Sequence, residues 1–465
     1  MTFEESLSYL LSLGHETLAI KLGLANTEKL LSALGNPHYE FPAVQIAGTN
    51  GKGSTAVMLD SICRAAGIRT GLFTSPHLRS ITERISVDGR QIAESDFASF
   101  TTRVKETAEE LVKQDQLATL PSFFEHVTAI ALLAFREAKI ELTILETGLG
   151  GRLDSTTAAR ADIVAITPIA MDHEEYLGDS LAKIATEKAA IIRPGVVAVI
   201  APQPKEAFDV IVRQCEATGV EPRLIEPDLG GEQLPRDGDQ FDTGAPTPGR
   251  YRFRFCNASQ GGRFRMNFTT RNDRYERVSV GLRGRHQIAN AAVAMALAEA
   301  LREHGFVISR EIIIQGVETA KHRGRLELCD GQPRILFDGA HNPAAARALR
   351  DYLDEFIKEP ITMIFGAMRD KALEEMASIL FPVAHKLILT EFENPRAASL
   401  EILKLAIPGS FDQAKVSHAS SGGEALRIAK ELTPAEGLVC VTGSLYLIGE
   451  IQSILSSDHF APRSS

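Results

Sequence analysis

Residues 47–54 read AGTNGKGS, a glycine-rich stretch with a lysine set between two glycines. Glycines let a backbone curl until successive N–H groups point at phosphate oxygens, and a helix beginning near Ser54 adds its positive end. In that arrangement Lys52 reaches the β- and γ-phosphates of a nucleotide, and Ser54 sits near the phosphates and a metal. The spacing departs from the usual G-x-x-x-x-G-K-[ST] loop: Ile46 stands at the first glycine, and Gly53 separates Lys52 from Ser54. Alone, the stretch is also an ordinary strand-to-helix turn. An apolar run before it and a helical pattern after it supply the context a phosphate loop needs.

Other residues with chemistry to offer stand at the ends of apolar runs. Glu146 closes "ELTILE", where a buried carboxylate is costly unless a cation neutralises it. An ion pair with Arg152 would also do that. His173 lies in "AMDHEEYLG" and Ser75 in "FTSPH". Glutamate, imidazole and hydroxyl together suit Mg²⁺ that also binds water and phosphate, although a loop histidine more often faces solvent. Lys188 in "IATEKAAI" reads, on composition alone, as an exposed helical lysine. Asp338 and His341 in "FDGAHNP" sit where Asp-Gly makes a turn and Asn-Pro opens a helix. Arg325 in "RGRLE" has Glu327 as a near partner.

The elements that must hold these residues follow from periodicity. Strands are expected at 43–47, 69–75, 141–146, 162–167 and 196–200, alternating with helices, the signature of a parallel sheet with crossover helices. Helices are expected near 54–66, over "SFFEHVTAIALLAFREAKI", near 204–217, and from Ser180 to the Pro194-Gly195 stop. Residues 226–248 are rich in Gly, Pro and Asp and read as an exposed excursion. "YRFRF", "RFRMNF" and "YERVSVGL" then alternate as an antiparallel patch. The leucines and alanines of 288–301 are core. Strand and helix alternate again from "RILFDGAHNP", which puts a domain boundary near 319–325. The fold class is therefore α/β. Polar, glycine-rich sequences follow the strands throughout, and ligands of open α/β sheets bind at those carboxyl ends.

Composition narrows the function. The chain has 465 residues, enough for two or three domains, and a formal net charge of −10, which disfavours nucleic acid or an anionic membrane as partner. The five cysteines form no C-x-x-C pair, which fits a reducing compartment. No signal peptide or membrane span is read, so a cytoplasmic location is expected, and a monomer is the expected state.

Taken together the motifs resemble the folylpolyglutamate synthase/dihydrofolate synthase family of Mur-ligase-like, ATP-dependent amide ligases. They run in order along nearly the whole chain: "GTNGKGS", "FTSPHL", "ERISVDG", "FFEHVTAIA", "LETGLGGRLDS", "DHEEYLG", "IATEKAAII", "HQIANAAVA", "GRLE", "DGAHNP", "FGAMRDK" and "TGSLYLIGE". The resemblance implies a phosphate-loop ATPase domain with its folate-binding segment over 1–319. It implies a smaller Rossmann-like ligase domain over 320–465. It implies that Thr49, Asn50, Gly51, Lys52, Gly53 and Ser54 bind ATP phosphates, and that Asn290, Arg325 and Asp338 contact ATP from across a cleft. Ser75, Glu146, His173 and a carbamylated Lys188 would hold Mg²⁺, with two metal sites in all. Lys52, Lys188 and His341 would be catalytic. Folate or dihydropteroate would meet Leu22, Gly23 and Leu24, the segment Ser122, Phe123, Phe124 and Glu125, and Leu153, Asp154 and Ser155. L-Glutamate would be ligated through an acyl phosphate. Thr157, Pro168, Ala190 and Arg323 depart from the family pattern, and Thr157 lies beside the pterin segment. Two rivals remain: a Mur-type ligase acting on a cell-wall nucleotide precursor, and a regulatory phosphate-loop module.

Overall fold

The computed structural model describes residues 1–14, 23–228, 249–259 and 261–457. Five short apolar runs, Ala43–Ala47, Thr70–Phe73, Leu142–Glu146, Ile163–Ile166 and Val197–Ile200, form the parallel centre of an eleven-stranded sheet. Ala43–Ala47 lies between Leu142–Glu146 and Ile163–Ile166, so its carboxyl end is flanked by two others. These strands are buried on both faces, which explains their continuous apolar character.

The three alternating runs pair antiparallel, and the patch extends the main sheet. Arg250–Ala258 joins the sheet parallel to Arg223–Pro227, and Arg263–Thr269 and Arg274–Arg283 continue it. Their inward residues Phe264, Met266, Phe268 and Val280 pack in one core with the helix His286–Glu303. That helix is buried almost all round, as its unbroken run of Ala, Leu and Met requires. The expected excursion at 226–248 begins as strand, and 229–248 lie outside the described residues.

A second sheet of six strands, from Glu327–Cys329 to Leu438–Thr442, has its own two cores. Loops follow its strands Arg334–Asp338, Ile361–Phe365 and Leu438–Thr442, and these loops face those of the first sheet across a cavity of about 550 Å³. Two helix boundaries differ from expectation. The helix after the glycine-rich loop starts at Lys52 rather than Ser54, because Gly51 adopts a left-handed φ of +87° as N-cap. Ser180 caps the next helix of interest as expected, but that helix ends at Ala189, well before Pro194, where Ile191 and Ile192 turn into the core. Among the described residues no helix is long and apolar enough to cross a membrane.

Candidate active site

The glycine-rich loop leaves Ala47 and turns sharply at Gly48, whose φ is +148° and whose missing side chain makes room for Thr167. The amides of Thr49 and Asn50 both donate to the Pro168 carbonyl, each at 3.1 Å. Thr49 Oγ1 donates to the Ala170 carbonyl and accepts from the Ala170 amide, both at 3.1 Å. Thr49 and Asn50 are thus tied to the neighbouring loop by their backbones and do not aim those amides at a phosphate, as the sequence suggested. The amides of Gly51, Lys52, Gly53 and Ser54 open the helix, where N–H groups have no intrahelical acceptor. These four lie at the positive helix end, where an anion is favoured. A Cβ at Gly51 would collide with the Asn290 side-chain amide, so Asn290 lies directly against the loop.

Two lysines converge here. Lys52 Nζ donates to the Thr49 carbonyl at 3.2 Å, and burial holds its pKa below the usual lysine range, against the pull of Glu146 and Asp172. Lys188 is buried, not solvent-facing as its composition suggested; its Nζ donates to the Gly48 carbonyl at 2.8 Å. Burial, reinforced by the nearby Lys52 charge, brings its pKa down to about 7.

Glu146 ends its strand beside the loop and accepts from the Ser75 amide at 3.1 Å. Burial pushes its pKa up, and Lys52 works against that. The alternative pair with Arg152 does not form; Arg152 binds Glu187 instead, at 3.0 Å. His173 takes a left-handed φ of +53°, and its Nδ1 is buried without a hydrogen-bond partner. Burial lowers its pKa to about 3, so the imidazole is neutral and able to ligate. Among the described residues no three His, Cys, Asp or Glu side chains form a ready-made metal cage. A Mg²⁺ site needs none, since that ion commonly takes one or two protein ligands plus phosphates and water.

From the second sheet come Arg325, Asp338 and His341. Arg325 donates to the Gly339 carbonyl at 3.2 Å rather than pairing with Glu327. Asp338 accepts from the amides of Leu326 at 2.9 Å and Ala340 at 3.1 Å, and burial raises its pKa to about 6, offset partly by Arg325. His341 Nδ1 donates to the Gly339 carbonyl at 2.7 Å, which leaves Nε2 as the acceptor. Burial lowers its pKa to about 4.

The expected pteridine-binding residues divide. Phe124, Leu153, Asp154, Ser155, Ser122 and Glu125 line the cavity. Several of them are hydrogen-bonded locally. Ser122 and Glu125 form a reciprocal capping box, and Glu125 also accepts from Thr27 at 3.0 Å. Asp154 takes the amides of Leu149 and Thr156, and Ser155 shares a hydrogen bond with Thr128 at 2.5 Å. Phe123 turns into the core instead, beneath the Arg84 guanidinium. Gly23 and Leu24 precede the helix Ala25–Ala33 and do not line the cavity; Leu22 lies outside the described residues. Thr157 keeps this loop in shape by bonding both Gln45 and the Gly151 carbonyl, each at 2.7 Å.

Three residues escaped the sequence reading: Asp172 and Lys371, which line the cavity, and the buried Asn342. Asp172 and Asn342 stand in motifs singled out for His173 and His341, Lys371 stands in the motif "FGAMRDK", and their strand-end positions were the available signal.

Known proteins show the same organisation. Residues 46–211 match the Mur ligase middle domain and residues 324–445 the Mur ligase glutamate ligase domain. The dihydrofolate synthase/folylpolyglutamate synthase of Bacillus subtilis is 32% identical over 451 residues, covering 95% of this chain and 97% of that one. The chain belongs to the dihydrofolate synthase/folylpolyglutamate synthase family. Another member, from Mycobacterium tuberculosis, is 30% identical over 463 residues, covering 94% of this chain and 90% of its own. Among solved folylpolyglutamate synthase structures, the Mycobacterium tuberculosis enzyme complexed with ADP has a TM-score of 0.85 at 29% identity, covering 99% of this chain and 100% of that one. Escherichia coli FolC in complex with DHPP and ADP has a TM-score of 0.83 at 28% identity, with 98% of each chain covered. A bifunctional folylpolyglutamate synthase/dihydrofolate synthase with Mn, AMPPNP and L-glutamate bound has a TM-score of 0.79 at 28% identity, covering 99% of this chain and 98% of that one.

Proposed function

We propose that this chain ligates L-glutamate to folate, and to dihydropteroate, with cleavage of ATP to ADP and phosphate. The observation that carries the reading is a single cavity. The helix-opening amides, Lys52 and Lys188 lie on one wall, Phe124 and Leu153 on an apolar wall, and Arg325, Asp338 and His341 close it from the second sheet. Residues 1–319 form the ATP- and folate-binding unit and 320–465 the ligase unit.

A carboxylate is a poor electrophile, so the acceptor carboxylate, dihydropteroate's own or the glutamyl carboxylate of folate, first attacks the γ-phosphorus and ADP leaves, giving an acyl phosphate. The loop amides, Lys52 and Arg325 neutralise charge during that transfer. Asn290, Arg325 and Asp338 hold the nucleotide. The amino group of glutamate then attacks the acyl carbon, and phosphate leaves from the tetrahedral intermediate. His341 Nε2, an acceptor in this tautomer, takes the proton the amine loses.

The donor set suits a divalent cation: an orphaned, neutral His173 Nδ1 and a buried Glu146 carboxylate line the same cavity. With Ser75 and Lys188 these residues would hold Mg²⁺, which supplies charge neutralisation at the phosphates when bound. Lys188 suits this role as a carbamate. Its buried amine with a pKa of about 7 is substantially neutral near pH 7, and the neutral amine adds CO₂ with loss of one proton to give an anionic ligand.

The test is to incubate the protein with ATP, Mg²⁺, L-glutamate and either dihydropteroate or tetrahydrofolate, and to identify products by mass. Products heavier by one glutamyl residue are expected. Turnover only with a muramoyl nucleotide would favour a cell-wall ligase, and ATP hydrolysis indifferent to folate and glutamate would favour a regulatory module.

A further inference from the structure

Asp172 precedes His173 in the loop after Ile163–Ile166, and its carboxylate reaches across the cavity. Its Oδ1 accepts from Lys371 Nζ at 2.6 Å. Its Oδ2 accepts from Asn342 Nδ2 at 3.3 Å and faces His341 Nε2 at 3.6 Å. Asn342 Nδ2 donates as well to Asn50 Oδ1, at 3.0 Å, so the second sheet is tied to the phosphate loop itself. Asp172 and Asn50 belong to the first sheet's loops; His341, Asn342 and Lys371 belong to the second's. The pair is sheltered from water, with side-chain exposures of 6% for Asp172 and 8% for Lys371.

The two sheets are joined elsewhere by contacts of a different kind. Arg285 and Glu355 make a bidentate pair at 2.9 Å, half open to solvent, and Phe264 meets Phe356 edge-on. Those contacts lie away from the cavity and line none of it. The Asp172 cluster bridges the cavity. A sheltered ion pair adds little net stability against a packed apolar pair, because desolvation offsets the attraction, whereas removing one partner leaves a buried unpaired charge. Such a pair is suited to specifying one arrangement of the parts it joins.

We propose that Asp172 is a positioning residue that clasps the second sheet over the phosphate loop. Through Lys371 and Asn342 it holds the loops bearing His341 and Lys371 against the place where the acyl phosphate forms, and so keeps water from that intermediate. The inference rests on the ligase reading above. Where the clasp fails, water attacks the acyl phosphate, the acceptor carboxylate is regenerated, and one ATP goes to ADP and phosphate without an amide bond.

The experiment compares full-length wild type with Asp172→Asn, Lys371→Met and the double variant. ADP and ligated glutamate are counted in the same reaction, alongside kcat, KM for ATP and the melting temperature. Each single variant is expected to lose about tenfold or more in kcat for ligation, with KM for ATP changed less than about threefold. ADP formed per amide should rise well above one. Because the two residues act as a unit, the double variant should be no worse than the weaker single. Where Asp172→Asn folds poorly, Lys371→Met carries the same expectation. ADP and amide remaining one to one in both variants, or losses that multiply in the double, would overturn the inference. A wild type that ligates nothing would instead sink the ligase reading itself.

Discussion

The two ends of the cavity use the same residue types in opposite ways. At the end formed by the glycine-rich loop polar groups are left open: the helix-opening amides from Gly51 to Ser54 and the orphaned Nδ1 of His173. At the end lined by Phe124 and Leu153 they are occupied locally: Ser122 and Glu125 cap each other, Asp154 gathers two amides, and Ser155 bonds Thr128. Unfilled polar groups at a buried site are costly unless a ligand completes them. The first end is therefore built to grip charge, and the second to give shape to a wall whose contact surface is Phe124 and Leu153.

The largest effect should come from the open end. Lys52→Ala should cost about 10³-fold in turnover, the scale of losing a charge stabiliser at the transition state, with little change in melting temperature. Near-normal ligation by a folded Lys52→Ala protein would contradict its placement at the phosphates.

Lys188→Ala should lose about 10²-fold, and small carboxylates added to the assay should restore part of it by filling the vacant ligand position. Lys188→Arg should be no better than alanine, because a guanidinium keeps the positive charge. An active arginine variant would return Lys188 to a structural role. Growth of the carbamate signal with added ¹³CO₂, followed by NMR, reads the modification directly.

The closed end sharpens through two adjacent phenylalanines. Phe123→Ala opens a cavity in the core and should cost about 3–5 kcal/mol of stability, read as a lower melting temperature with KM for the pteroyl substrate unchanged in the folded fraction. Phe124→Ala should leave stability nearly intact and raise that KM about tenfold, the worth of one aromatic contact. Exchanged outcomes would reverse which face of the helix meets substrate.

Those two residues show where the sequence was readable. The helix, its Ser122 cap and the strand-end loops follow from periodicity and capping chemistry, but helical spacing alone did not tell which of Phe123 and Phe124 faces the cavity. Lys188 shows the converse. Its composition pointed to solvent, and only the packing of its helix against the Gly48 turn buries it. Asp172, Asn342 and Lys371 lie 170 and 199 residues apart in sequence. Their meeting is a property of the facing sheets, which no local pattern encodes. The amides of Thr49 and Asn50 are diverted by the Pro168 carbonyl from a distant loop for the same reason.

A further effect is on pH dependence. Burial raises the Asp338 pKa to about 6 from the 3.8 of an ordinary aspartate. The folded state therefore holds a proton that the unfolded state releases, so this contribution is full below about pH 4 and is lost as pH rises through about 6. The loss is of the order of 3 kcal/mol. Asp338→Asn should remove that part of the slope, so chemical-denaturation curves of variant and wild type should diverge between pH 4 and 6. Parallel curves would place Asp338 in a more hydrated setting.

The most direct measurement follows oxygen. A pteroyl substrate carrying ¹⁸O in the carboxylate that accepts glutamate is turned over with ATP and L-glutamate, and the released phosphate is weighed. An acyl phosphate formed in this cavity transfers one ¹⁸O to each phosphate, with the other retained in the new amide. Amide product accompanied by unlabelled phosphate would contradict the mechanism outright.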